Sequence, residues 1–231
     1  MTHGGIQSRD TVIALACGVD SPLVQKADKD ATLQVAIVVL AIATIQMLLP
    51  DAVTIGAQWL IPAIEVIGVP MALLILRATD ARTRTIRRAM TGYLFLLICA
   101  SVLNAGLLLW SMLYDNNENG PELLFAGFGV LAINVLSFGI VYWWVDGGGP
   151  RQRDAGKVTS WDFQFPQQAA GMKWTPMLPD YMFTAYTNII AFSPTDTMPL
   201  SHRAKFLFTV QSTVSLLTIL VTVSRAINMI N

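Results

Sequence analysis

Glu65 is the only Asp, Glu, Lys or Arg in five apolar stretches of this 231-residue chain, 31–50, 52–76, 89–114, 123–145 and 206–224. A carboxyl group in such surroundings handles a proton or a cation by default, because an unpaired charge in hydrocarbon is costly. The plainer reading is a protonated or paired structural glutamate facing Gln34, Gln46, Asn104 or Asn134, the other polar side chains at hand. Pro62 and Pro70 flank it, so the helix around it should kink and leave carbonyls for neighbours or water to satisfy.

Two further groups of residues could carry chemistry. Thr195, Asp196 and Thr197 could present oxygens to a cation at the mouth of a cavity. Ser193-Pro194-Thr195-Asp196 is equally well a turn capped by its own side chains. In the last apolar stretch Gln211, Ser215, Thr218, Thr222 and Arg225 recur at spacings of four, three, four and three, which places them on one helical face. Such a stripe can line a wet path, or let helices pack closely and hydrogen-bond across the contact.

Other chemistries have little to work with. His3 and His202 are the only histidines, and no spacing of His, Cys or acids resembles a metal site. There is no phosphate-cradling glycine loop and no nucleophile elbow. Cys17 and Cys99 imply no disulfide scaffold. No enzyme activity, cofactor, bound metal or nucleic-acid partner is therefore expected.

The elements that hold these residues are membrane helices. Each apolar stretch reaches or approaches the roughly 20 residues that cross about 30 Å of hydrocarbon, and only a helix satisfies its own backbone there. Hydrophobic residues are 54% of the chain and charged ones 13%, half the usual share of a soluble domain. The fold expected is all-α: a multi-pass bundle of five spans plus a short re-entrant or interfacial helix before the last. Its parts are an N-terminal cytoplasmic segment 1–30, a four-helix bundle 31–145, a cytoplasmic or interfacial segment 146–205 with a re-entrant-like helix 181–192, and a final span 206–231. Asn116 to Pro121 is a turn signal between the third and fourth spans.

Charge orients the bundle. The loop from Arg77 to Arg88 holds five arginines against Asp80, while the connections around Asp51 and from 115 to 122 hold acids and no base. Basic residues collect on the cytoplasmic side. With the N-terminus inside, all but Arg225 of the fifteen Lys and Arg share that side, and Arg225 can snorkel from the end of the last span. The C-terminus then faces outward. Residues 11–19 are too short an apolar run for a cleavable signal, so the mature chain should begin near Met1.

Residues 146–180 are too polar to span, yet carry Trp161, Phe163, Phe165 and Trp174. They should lie along the membrane surface or cover the mouth of the bundle. Asp162-Phe-Gln-Phe-Pro166, the run 179–187, Phe192-Ser-Pro-Thr-Asp196, Ser201-His-Arg-Ala-Lys205 and a helix ending Arg225-Ala-Ile-Asn228 resemble the C-terminal part of an uncharacterised family of bacterial multi-pass inner-membrane proteins. That resemblance covers the last third of the chain and implies a fold and a bacterial inner membrane without an activity. The same tail is similar in element order to the pore module of tetrameric potassium channels, with 184–196 in the place of pore helix and filter. The stretch 191–196 has no glycine and Pro194 lacks a backbone donor, so potassium selectivity is not implied.

The function expected is transport-like, an ion channel or small-solute pathway. The alternative is a non-catalytic structural or accessory subunit of a larger membrane complex. The expected partners are the lipid bilayer and a homo-oligomeric or complex partner.

Overall fold

The structure is a computed structural model that describes residues 22–50, 59, 62–68, 83–114, 120–154, 156, 158–172, 174–190 and 197–230. Helix dominates them. The long elements are α1 (Pro22–Met47), α2 (Thr83–Tyr114), α3 (Gly120–Val145) and, at the C-terminal end, α7 (His202–Ile230). Three helical segments are long and apolar enough to cross a membrane: Arg88–Tyr114, Leu124–Gly148 and His202–Ile227. At 1.5 Å per residue their 25 to 27 residues extend roughly 40 Å, more than the hydrocarbon layer. This is a helical membrane protein.

Five spans are more than the described residues show. The apolar part of α1, Leu33–Met47, is shorter than a span, and of the stretch 52–76 only Trp59 and the helical residues 62–68 are described. Helices also begin upstream of their apolar stretches, at Pro22, Thr83 and His202 rather than at 31, 89 and 206. Backbone hydrogen bonding continues a helix into water, whereas hydropathy marks only the part that lipid or protein must cover.

α3 is the central helix. It packs against α1, α2, α7 and the short helix α6 (Leu178–Ile190), and 56% of its apolar window is buried against 28% of that in α7. Leu97, Leu108, Val130, Ile133, Phe138 and Tyr142 fill the space between. The faces turned outward carry Phe95, Trp110, Phe125, Phe128, Leu217 and Leu220, large apolar side chains suited to lipid.

At its end α3 runs into a turn of 3₁₀ helix, Asp146–Gly148, and stops. Gly147, Gly148 and Gly149 have φ of 59°, 81° and 105°, a left-handed run that side chains resist. The chain folds back through α4 (Pro150–Asp154), and Arg153 donates from Nη1 to the carbonyls of Trp143 and Asp146 at 2.7 and 2.6 Å. A helix C-terminus leaves its last carbonyls short of partners, the Asp146 carbonyl here also accepting the Gly149 N–H at 3.0 Å, and a cation there complements the helix dipole.

The remaining polar segment forms a cap on this end of the bundle. Strand β1 (Phe163–Gln164) pairs antiparallel with β2 (Met198–Pro199), and α5 (Pro166–Ala169) and α6 lie between them in sequence. Asp146 is the post that holds it: its carboxylate accepts the N–H groups of Asp162 and Phe163 and the Tyr181 hydroxyl, at 2.8, 3.1 and 2.5 Å. Burial pushes the Tyr181 phenol well above the ordinary tyrosine range, so it stays protonated and donates. Asp162 in turn takes a two-pronged contact from Arg203 at the start of α7, both bonds at 2.6 Å. Phe163 stacks among Tyr142, Tyr181 and Phe208, and Phe165 among Trp174 and Tyr181, which closes the cap over the helix ends.

Candidate functional site

The polar stripe of the last span faces inward. Gln211, Ser215, Thr218 and Thr222 are all buried, while Leu216, Leu217, Leu220 and Val223 on other faces are exposed. Arg225, the fifth member, is half-buried at the end of the row. Helical spacing explains the alignment, and burial of that face follows because α7 meets both α2 and α3 along it.

Each member meets a different neighbour. Oε1 of Gln211 accepts from the Tyr142 hydroxyl of α3 at 2.6 Å and from Nδ2 of Asn188 in α6 at 2.8 Å, while its Nε2 donates to the Ala185 carbonyl at 3.1 Å. Ser212 extends the network by donating to Oδ1 of Asn188 at 3.0 Å. The Ser215 hydroxyl donates to Oδ1 of Asn134 at 3.3 Å. Thr218 bonds back to the Val214 carbonyl, and the Thr222 hydroxyl contacts Sδ of Met112 at 3.9 Å and packs on Gly127. Three helices and a half-length helix thus converge on one buried polar seam.

The half-length helix is α6, which coincides closely with the expected re-entrant helix 181–192. Asp180 reaches back to cap its first turn, accepting from the Met177 N–H at 2.7 Å. Tyr181 sits at the α3 terminus beside Asp146, whereas Ala185 and Asn188 lie beside Gln211, nine residues into α7. The chain then returns, since Thr197 and Thr184 share a hydroxyl hydrogen bond at 3.1 Å and Met198 rejoins β1. Gly139 of α3 makes the close approach possible: a Cβ there would stand 2.4 Å from Sδ and 3.2 Å from Cα of Met182. Of the three residues expected to face a cation, Thr195 and Asp196 lie outside the described residues, and Thr197 is buried against the Thr184 hydroxyl.

Glu65 is 1% exposed. Among the four amides considered from sequence, it is Gln46 of α1 that meets it, Nε2 donating to Oε1 at 3.1 Å. Tyr93 of α2 donates its hydroxyl to the Glu65 backbone carbonyl at 3.0 Å, and the Tyr93 ring fills the space a side chain at Gly68 would need. Among the described residues, Oε2 of Glu65 and Oε1 of Gln46 have no hydrogen-bond partner.

They are not alone in this. Oγ of Ser101 and Ser111 on α2, and Nδ2 of Asn134 and Oγ of Ser137 on α3, are buried without a partner. Ser101 is the midpoint of its 27-residue span, and Asn134 and Ser215 fall within two residues of the midpoints of theirs. Buried polar groups ordinarily find a partner, so a concentration of open ones marks places where water or a solute would be bound. Among the described residues no three His, Cys, Asp or Glu side chains gather as a metal would need.

No family model, curated protein or solved structure matches this chain. The site therefore has to be read from its own geometry.

Several of its residues escape a reading by sequence. Tyr142 and Asn188 complete the Gln211 network, and Asp146, Arg153, Asp162 and Arg203 hold the cap that carries Asn188. One signal was open to view: Asp146 directly follows an uninterrupted apolar run and precedes three glycines, a place where a carboxylate needs partners. Cys99 is exposed and unpaired.

Proposed function

We propose that this protein is a transport-like membrane protein whose solute path follows the buried seam between α2, α3, α6 and α7. One observation carries the reading: polar groups near the middle of three membrane-length helices are buried and several have open hydrogen-bonding capacity. Small polar solutes and water are bound in membrane proteins by such groups near the bilayer midplane, often beside a helix that ends part-way through. α6 supplies that feature, because its first turn lies at the α3 terminus and its last reaches the Gln211 network.

The proposal extends to architecture and place. Five spans, with the second running through Glu65, a cytoplasmic N-terminus and an external C-terminus, agree with the distribution of Lys and Arg. The cap then lies on the cytoplasmic side, together with Arg153 and Arg203. A bacterial inner membrane is the location that the resemblance of the last third supports.

A second reading, a non-catalytic accessory subunit, draws on a different observation. α6 turns Phe183, Tyr186 and Ile190 outward on one face, and Met198, Leu200 and Phe206 are exposed as well. That surface would suit a second copy or another membrane subunit as well as lipid. Reconstitution of the purified chain into liposomes separates the two: flux of ions or small neutral solutes by the protein alone, reduced when Ser215 and Thr218 are made leucine, supports transport. A protein that moves nothing yet co-purifies with a stoichiometric membrane partner belongs to the second class.

A further inference from the structure

Glu65 carries the only carboxyl group within the five apolar stretches, whereas the buried side chains of Gln46, Ser101, Asn134 and Gln211 are neutral. The groups facing it are few. From α1 comes the neutral amide of Gln46, and from α2 the phenol of Tyr93, which is committed to the Glu65 backbone carbonyl rather than to the carboxyl group. Among the described residues no Lys, Arg or His forms an ion pair with it, and Oε2 is open. An ionised carboxylate with a single amide donor in an apolar layer is poorly compensated. The proton is the ligand that neutralises it with the least additional structure.

The surrounding groups agree with a proton better than with a metal ion. Calcium takes six to eight oxygens and magnesium a near-octahedral set. Here one carboxylate oxygen and one amide oxygen are open, and no second acid approaches among the described residues. The other open groups, at Ser101, Ser111, Asn134 and Ser137, are neutral donors and acceptors of the sort that hold water. Hydroxyls and water relay protons without discriminating by size.

We propose that Glu65, held between α1 and α2, is a proton-carrying site beside that seam, a deepening that rests on the transport reading. Protonated Glu65 releases its proton to water on one side of the membrane, and the carboxylate so formed takes one from water on the other. One proton enters for each that leaves, one positive charge crosses per cycle, and no oxidant, reductant or co-substrate takes part. Gln46 is a positioning residue: its donor holds Oε1 so that Oε2 remains the exchanging oxygen.

The test is proton uptake into liposomes holding the full-length protein and a trapped pH-sensitive dye, driven by a potassium diffusion potential with valinomycin. Parallel vesicles report sodium flux and swelling in a neutral solute. Wild type should acidify the lumen, Glu65→Gln should slow this at least tenfold with an unchanged melting transition, and Glu65→Asp should retain part of the rate with a shifted pH midpoint. Should Glu65→Gln fail to fold, Glu65→Asp decides alone: a pH midpoint identical to wild type overturns the assignment. Proton flux undiminished in Glu65→Gln also overturns it. Sodium or neutral-solute flux without proton flux removes the inference and leaves the transport reading standing. Absence of all three fluxes removes the transport reading and the inference with it.

Discussion

The hydroxyl of Tyr142 and the side chain of Gln211 meet at 2.6 Å in the interior of the bundle, and Asn188 donates to the same Gln211 oxygen from the opposite side. One amide therefore ties together a central helix, the last span and a helix of half length. The neutral groups match donor for acceptor, so this part of the seam is closed, in contrast to the open groups at Ser101, Asn134 and Ser137. The two parts of the seam differ: one fixes α6 against α3 and α7, and the other holds buried groups with open hydrogen-bonding capacity.

Removing the hub should cost more than removing either donor. Tyr142→Phe leaves Asn188 to satisfy the Gln211 oxygen, and a loss of about 1 kcal/mol is expected. Gln211→Leu leaves the Tyr142 hydroxyl unpaired and Asn188 with only the Phe208 carbonyl at 3.3 Å, which should cost about 2–3 kcal/mol. Unfolding in detergent micelles measures both. Equal losses would mean that the network relaxes or is reached by water.

The cap depends on Asp146 in a way that separates charge from shape. Asp146→Asn keeps an oxygen for the N–H groups of Asp162 and Phe163 but weakens the bond from Tyr181. Asp146→Ala leaves all three donors without a partner. Limited proteolysis within 158–172 should be slow in wild type, moderately faster in Asp146→Asn and fastest in Asp146→Ala. If Asn and Ala variants are cut alike, the negative charge rather than the acceptor geometry holds the cap.

Arg203 makes the better-looking contact and should matter less. Its bond to Asp162 is two-pronged, but the arginine side chain is 51% exposed and Asp162 3%. Solvent screens the arginine, so the coupling energy of the pair in a double-mutant cycle should stay at or below about 1 kcal/mol and shrink in high salt. Asp162→Ala alone should exceed Arg203→Ala alone, because burial makes the aspartate the costlier group to disturb.

How far the sequence exposed this arrangement depends on the kind of interaction. The inward stripe on α7 was legible because helical spacing is local: Gln211, Ser215, Thr218 and Thr222 share a face whatever lies opposite. A short helix before the last span was expected at 181–192 because that run is too short to cross, and the described helix covers 178–190. Partners across helices were not legible. Glu65 had four candidate amides, and only packing selected Gln46. Tyr142 stands beside two tryptophans at the end of an apolar run with nothing local to name its partners, and the cap buries it under Phe163 and Phe208. The cap itself is built from tertiary contacts of isolated acids and bases, Asp146, Arg153, Asp162 and Arg203, which no period announces.

Topology gives a prediction of its own. In a background with Cys17 and Cys99 replaced, single cysteines at positions 84 and 117 should be labelled by an impermeant reagent from the inside and the outside respectively. The reverse pattern would invert the bundle and place the cap outside. A C-terminal reporter reading cytoplasmic would mean that the stretch 181–200 crosses fully or that one of the earlier proposed spans does not.

The last prediction concerns the contact that lets α6 enter. A methyl group at Gly139 would meet the side chain and the Cα of Met182, and the backbone cannot yield as a flexible side chain does. Gly139→Ala should therefore destabilise the protein by about 1–3 kcal/mol, the usual range for overpacking. Gly139→Leu should lift α6 from α3 and break the Asn188–Gln211 bond. Gly106 is the control, since nothing stands within 4 Å of a Cβ there and it lies inside α2. Gly106→Ala should be neutral or stabilising by up to about 1 kcal/mol through helix propensity alone. Melting temperatures of the three variants, with crosslinking between cysteines introduced at 188 and 212, measure both stability and position. If Gly139→Leu melts like wild type and still crosslinks at full yield, α6 does not depend on close approach to α3.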